Sequence, residues 1–213
     1  MIGVIWTVPD GVPRQGVRMD GLLTDISACQ LCLTRFARTA NHHRPRPVVQ
    51  ADPRARLLIA GQAPGARVHR SGMPFQDRSG DRLRDWTGIS ESVFYDPSTV
   101  AIVPMAFCFP GYNSRGVDLP PPSVCTKNWR MPLLQQLPRV RLTLLFGGFA
   151  QKWHLGVRDG VGDVVANWRA QAPQIFALPH PSWRNTAWIK KNPWFEAELL
   201  PALRQRVHEV LND

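Results

Sequence analysis

Four short apolar runs, each leading into a glycine- or proline-marked loop, set the tightest limit on how this chain can fold. They are Ala55-Arg56-Leu57-Leu58-Ile59-Ala60 before Gly61, Val100-Ala101-Ile102-Val103 leading to Cys108, Val140-Arg141-Leu142-Thr143-Leu144-Leu145-Phe146 before Gly147-Gly148, and Ile175-Phe176-Ala177-Leu178 before Pro179-His180. Runs this short with little polar alternation are what strands buried on both faces require. Helix-like segments fall between them, at residues 80–87, 125–137 and 149–155. A last one spans residues 193–211, with Glu196 and Glu198 in its first turns, where the helix dipole favours acids. Strands alternating with helices predict an α/β fold, a three-layer α/β/α sandwich around a central, mainly parallel four-stranded sheet.

The remaining stretches are less regular. Residues 1–20 carry Gly and Pro at short intervals and read as an irregular N-terminal arm. Residues 22–38 have helical apolar spacing broken around a cysteine pair, and residues 41–53 form a basic, proline-rich loop. With 213 residues and neither an internal repeat nor a low-complexity tract, residues 1–213 are expected to form a single domain.

The formal charge is +10, which favours a polyanionic partner, nucleic acid first and an anionic membrane second; a solubilising surface is the plainer alternative. No apolar run approaches the length of a membrane span. The opening Met1-Ile2-Gly3-Val4-Ile5-Trp6 is short, lacks a basic leader and soon meets Pro9, so no secretory signal is expected. The expectation is a cytoplasmic, nucleoid-associated protein in a reducing compartment, where disulfides are disfavoured.

Four cysteines then need another explanation. They stand as the pair Cys29 and Cys32 and two distant singles, Cys108 and Cys125. Thiolate sulfur is soft, so four of them gathered on one centre favour zinc or an iron–sulfur cluster. Four unrelated buried thiols are the structural alternative.

The loop after the first run sits where open α/β sheets place their ligands, beyond the carboxyl end of a strand. It reads Gly61-Gln62-Ala63-Pro64-Gly65 and continues through Gly72-Met73-Pro74-Phe75 to Ser79-Gly80; after the last run comes His180-Pro181-Ser182. These motifs, in this order, resemble those of the uracil-DNA glycosylase superfamily in its iron–sulfur branches. The resemblance covers roughly residues 25 to 205, and the cysteines fall where those branches hold a 4Fe–4S cluster.

The resemblance implies a DNA glycosylase that hydrolyses the N-glycosidic bond of a deaminated base, uracil first, in base excision repair. It implies a monomer acting on double- or single-stranded DNA, with no membrane partner. His180 takes the place of the family's donor to the departing base. Phe75 takes that of the stacking aromatic, with Gly61, Ala63 and Ser182 around the base. Trp183 and Arg184 follow the histidine motif where the family has a loop entering the DNA groove. Arg67, Arg70, Arg78, Lys190 and Lys191 would join Arg184 in neutralising phosphates. A core role for Phe75 and surface packing for Trp183 are the plainer alternatives.

Two positions depart from the pattern. Gln62 stands where many iron–sulfur members carry a carboxylate; it can orient a water but cannot take its proton, which leaves His69 or, in preference, Asp77 for that task. Helix capping is the alternative role for Asp77. Pro104 stands where uracil-reading members carry asparagine, and it has no side-chain donor. No lysine lies in either motif, so hydrolysis is expected rather than a Schiff base. Gln62 and Pro104 keep open a second reading, a protein of this fold that binds damaged or single-stranded DNA with little catalysis. A zinc protein with a structural role is the third.

Overall fold

The computed structural model describes residues 18–212. The expected N-terminal arm therefore lies outside the described residues except for its last three, of which Arg18 precedes a helix that Met19 and Asp20 already open. In chain order come α1 (Met19–Ser27), α2 (Leu33–Ala37), β1 (Leu57–Ala60), α3 (Ala66–Ser71), α4 (Arg78–Thr87), α5 (Glu91–Phe94) and β2 (Val100–Ile102). Next are α6 (Ser123–Cys125), a π turn (Thr126–Arg130), α7 (Met131–Gln135), β3 (Leu142–Phe146), α8 (Gly147–Leu155), α9 (Val161–Ala166) and a 3-10 turn (Trp168–Ala170). The chain closes with β4 (Ile175–Leu178), a 3-10 turn (Trp183–Asn185), α10 (Thr186–Lys191), a second π turn (Phe195–Leu199) and α11 (Leu200–Asn212).

The sheet is wholly parallel, in the order β2-β1-β3-β4. All four expected strands form: β1 and β3 start two residues late, beyond Arg56 and Arg141, β2 ends one residue early at Ile102, and β4 spans the whole expected run. Successive side chains point to opposite faces of a strand, and both faces are buried. Leu57, Ile59, Leu142, Leu144, Phe146, Phe176 and Leu178 pack with α4, α5, α9, α10 and α11. Leu58, Ala101 and Val103 pack with Met19, Leu22 and Ile26 of α1 and Leu133 of α7. Ala60 and Leu145 pack with Ala150 of α8 on that same side. This is the three-layer sandwich. No helix among the described residues is long and apolar enough to cross a membrane.

The two longest expected helices each contain an interruption that the apolar pattern did not reveal. Pro132 and Pro201 stand one residue inside α7 and α11, and each follows a π turn that ends two residues earlier. A proline within a helix removes one amide donor and crowds the carbonyl four residues back; widening the turn before it relieves both. The expected helix over residues 193–211 thus begins as a π turn carrying Glu196 and Glu198, and runs on to Asn212. Helices α3, α5, α9 and α10 are each six residues or shorter, too short to leave a 3.6-residue period in the sequence.

Candidate active site

The strand order places the site. From β1 the chain leaves toward β2 on one side, and from β3 it leaves toward β4 on the other. The carboxyl ends of β1 and β3 therefore flank a crevice, the place where open parallel sheets take ligands. Gly61 to Gly65 leaves β1 at this crevice and His180 follows β4 two residues past its end.

The β1 loop is fixed by its neighbour. Met105 N–H donates to Gly61 O at 2.8 Å and Ala106 N–H to Gln62 O at 3.1 Å. Gly61 is buried, and Gln62 and Ala63 are half-buried. Phe75 leans over the loop: a side-chain carbon added at Gly61 would lie 3.9 Å from its ring tip. The Phe75 ring also packs edge-on to Phe94 and Phe146, with centroids 6.1 and 6.4 Å apart, so it is a braced, half-buried face beside the crevice.

Phe75 holds φ at 54°, a left-handed conformation that costs energy for a bulky residue. Gly80 makes room for this turn: an added side-chain carbon there would stand 1.8 Å from the Phe75 carbonyl oxygen. Between them, Asp77 caps α4: its Oδ1 accepts from Ser79 N–H at 2.9 Å and Gly80 N–H at 3.1 Å. The Phe75 turn is thus clamped to the start of α4.

The same helix reaches the histidine loop. Arg82 donates to Ser182 O at 3.1 Å and to Thr186 Oγ1 at 3.3 Å, and Asn185 donates to His180 O at 2.7 Å. Ser182 N–H donates to His180 Nδ1 at 3.2 Å, which leaves the ring proton on Nε2 of a neutral imidazole. Burial holds His180 below the ordinary histidine range, outweighing Asp77 and Asp118, whose charges favour its protonated form. His180 is therefore a neutral donor in a partly desolvated crevice, with two carboxylates in electrostatic reach.

Neither Arg82 nor Asp118 stood out in the sequence. Arg82 meets its partner 100 residues away, beyond any local pattern. Asp118 rides on the segment between Cys108 and Cys125, in a bridge with Tyr112, whose amide is in turn held by Asn41 Oδ1 at 2.7 Å. His69, the other alternative for proton transfer, lies on α3 edge-on to His43 rather than in the crevice loops, and burial pushes it below its ordinary value.

Around the crevice the surface is cationic. Arg67, Arg70, Arg78, Arg184, Lys190 and Lys191 are all exposed, and none pairs with a carboxylate among the described residues. Trp183, on the 3-10 turn after the histidine motif, is 76% exposed. An aromatic this bare is not packing against the surface, the plainer alternative for it.

The four cysteines come together. Cys29, Cys32, Cys108 and Cys125 all line one pocket, with Phe36, Val124 and Trp129 among its apolar walls. Cys29 and Cys32 lie in the break between α1 and α2, and Cys125 ends α6. Trp129 Nε1 donates to Cys29 Sγ at 3.2 Å and Phe107 N–H to Cys125 Sγ at 3.3 Å. Burial, reinforced by the neighbouring cysteines, pushes the Cys108 and Cys125 thiols up to about 12. Among the described residues no three His, Cys, Asp or Glu side chains converge closely enough to hold a single metal ion.

A comparison with protein-family models matches residues 48–204 to the one described as the Uracil DNA glycosylase superfamily. The matched region takes in both crevice loops, Cys108 and Cys125, and starts beyond Cys29 and Cys32.

Proposed function

As a member of the uracil DNA glycosylase superfamily, the chain comes from a line of base-excising enzymes, and we propose that it hydrolyses the N-glycosidic bond of a deaminated base in DNA. The observation that carries this reading is His180: neutral, largely desolvated, with its proton on Nε2 at the mouth of the crevice that Phe75 overhangs. An extruded base would stack on Phe75, between Gly61 and Ala63 on one side and Ser182 on the other. Bond cleavage leaves positive charge on the sugar and negative charge on the base. A donor already in place at a base oxygen stabilises that anion without reorganisation.

Gln62 would orient the attacking water, and Asp77 would accept its proton. Asp77 has Oδ1 committed to the helix cap, which fixes the carboxylate while leaving Oδ2 to act. With no lysine in either motif, the product is a free base and an intact abasic site, formed by a single chain that carries every named group. Trp183 would fill the gap left by the base, and the surrounding arginines and lysines would hold the phosphates.

Pro104 narrows how the base is read. It has no side-chain donor, and its carbonyl already accepts from Arg130 at 3.2 Å. Recognition falls to backbone amides and His180, which suits a range of deaminated bases, hypoxanthine and xanthine beside uracil.

The cysteine pocket suits a 4Fe–4S cluster: four soft ligands, apolar walls and N–H donors to two of the sulfurs. When bound, the cluster would supply a cross-link between the α1–α2 break and the Cys108–Cys125 segment, together with a delocalised negative charge.

Single- and double-stranded oligonucleotides containing uracil, hypoxanthine or xanthine, treated with alkali after incubation, test the proposal. Strand breaks should appear and fall by about 10²–10³ in His180→Ala. Intact strands with tight, salt-sensitive retention would instead identify a damaged-DNA-binding protein, the reading that Gln62 and the capping role of Asp77 favour.

A further inference from the structure

Residues 103–107 run from the end of β2 along the crevice loop and are held from two sides. Toward the crevice, the amides of Val103, Met105 and Ala106 donate to the carbonyls of Ile59, Gly61 and Gln62 at 2.9, 2.8 and 3.1 Å. On the other side, the helix beginning at α6 grips the same residues. Phe107 N–H donates to Cys125 Sγ, Thr126 Oγ1 to Met105 O at 2.8 Å, Arg130 Nε to Pro104 O at 3.2 Å and Arg130 Nη2 to Val103 O at 3.5 Å. The pocket wall is a strap stitched to one helix, at a cysteine of the thiol cavity at one end and at Arg130 at the other.

Arg130 is an unusual stitch. It is 0% exposed, lies 4.4 Å over the Trp153 ring, bonds His154 Nε2 at 2.6 Å, and leaves Nη1 without a partner. No carboxylate among the described residues pairs with it, and Cys125, whose thiolate form would favour the charged guanidinium, stands five residues back on the same helix. A buried cation needs an anion or it costs the fold heavily. The π turn supplies the approach. An α-helix would swing the fifth residue on by about 140° around the axis, whereas i→i+5 bonding brings Arg130 back toward the face of Cys125.

We propose that Arg130 is a positioning residue that joins the four-cysteine centre to the base pocket. The negative charge of the thiolate-ligated centre balances the guanidinium, and the guanidinium holds the Val103 and Pro104 carbonyls of the pocket wall. This rests on the metal-centre reading under the proposed function. The test compares anaerobically purified wild type, Arg130→Met and Arg130→Lys by iron and sulfide content, midpoint potential of the centre, and KM and kcat on a uracil oligonucleotide.

Arg130→Met should move the midpoint potential downward, since a cation no longer favours the reduced centre, and lower kcat/KM by about 10–100-fold. Arg130→Lys should keep the wild-type potential and raise KM, because the charge stays and the fork to the two carbonyls is lost. A Met variant with wild-type potential and iron content overturns the inference. If the Met variant does not accumulate, a Lys variant with wild-type KM or a displaced potential overturns it. Wild-type protein free of iron and sulfide removes the metal-centre reading itself, a different failure from iron-loaded protein indifferent to residue 130.

Discussion

The Phe75 turn shows a single residue setting the geometry of a site from a distance of five positions. Its left-handed backbone brings the Phe75 carbonyl against the bare Cα of Gly80, where no other residue would leave room. Gly80→Ala forces a side-chain carbon into that carbonyl, so the turn must open. A loss of about 1–3 kcal/mol is expected, read as a lower denaturant midpoint, together with a raised KM as the stacking face moves. Wild-type KM in a stable Gly80→Ala protein would show that Phe75 does not receive the base. The sequence marked both residues, because Phe75 and the Ser79-Gly80 pair belong to one motif. It did not show that the glycine exists to admit the Phe75 carbonyl, since that contact depends on the turn between them.

At the scale of elements, α4 is the piece that assembles the site. Its cap fixes the Phe75 turn, and Arg82 on its body fixes the Ser182 carbonyl of the histidine loop. The cap residue has two assigned tasks that one substitution separates. Serine caps a helix nearly as well as aspartate but cannot take a proton from water. Asp77→Ser should therefore keep the thermal midpoint within a degree or two of wild type, roughly the shift of a few tenths of a kcal/mol, while slowing base release about 10²–10⁴-fold. Unchanged rate in Asp77→Ser would leave Asp77 as a cap alone. The π turns belong to this scale too. Pro132 and Pro201 are visible in the sequence, but whether a proline kinks, ends or widens a helix depends on what the flanking turns pack against. Cys125, Arg130, Phe195 and Leu199, all buried, are the packing that keeps these helices continuous.

For the whole molecule, charge governs both binding and acid stability. The exposed cations on the segments after the two crevice loops, none paired with a carboxylate among the described residues, give the net charge of +10 a direction. In salt titrations of DNA affinity, Lys190→Ala with Lys191→Ala should lessen the slope of log K against log salt by about 1 for each phosphate no longer neutralised; an unaltered slope would take α10 out of the interface. Acid should destabilise the fold in a window set by histidine. His154, beside Arg130, is pushed down to about 2 by burial, and burial also lowers His180. The unfolded chain thus binds more protons below the ordinary histidine value of about 6.5, and stability is lost as pH falls from there. His154 alone contributes about 1.4 kcal/mol per pH unit in that window. The depressed carboxylates Asp52 and Asp96 add their losses only below about pH 4. Urea midpoints that stay level from pH 7 to pH 5 would contradict this assignment. By itself the sequence determined the sheet, the two crevice loops and the set of four cysteines, because strand burial and loop motifs are written in neighbouring residues. Only the tertiary structure decided that Asp77 caps α4, that Arg82 ties the loops together, and that the cysteine helix grips the pocket wall through Arg130. The cap is a local contact that the sequence left as one of two roles for Asp77; the other two join residues distant in sequence or turned by a π segment, and their energy comes from burial and from hydrogen bonds that exist only once the sheet has brought them together.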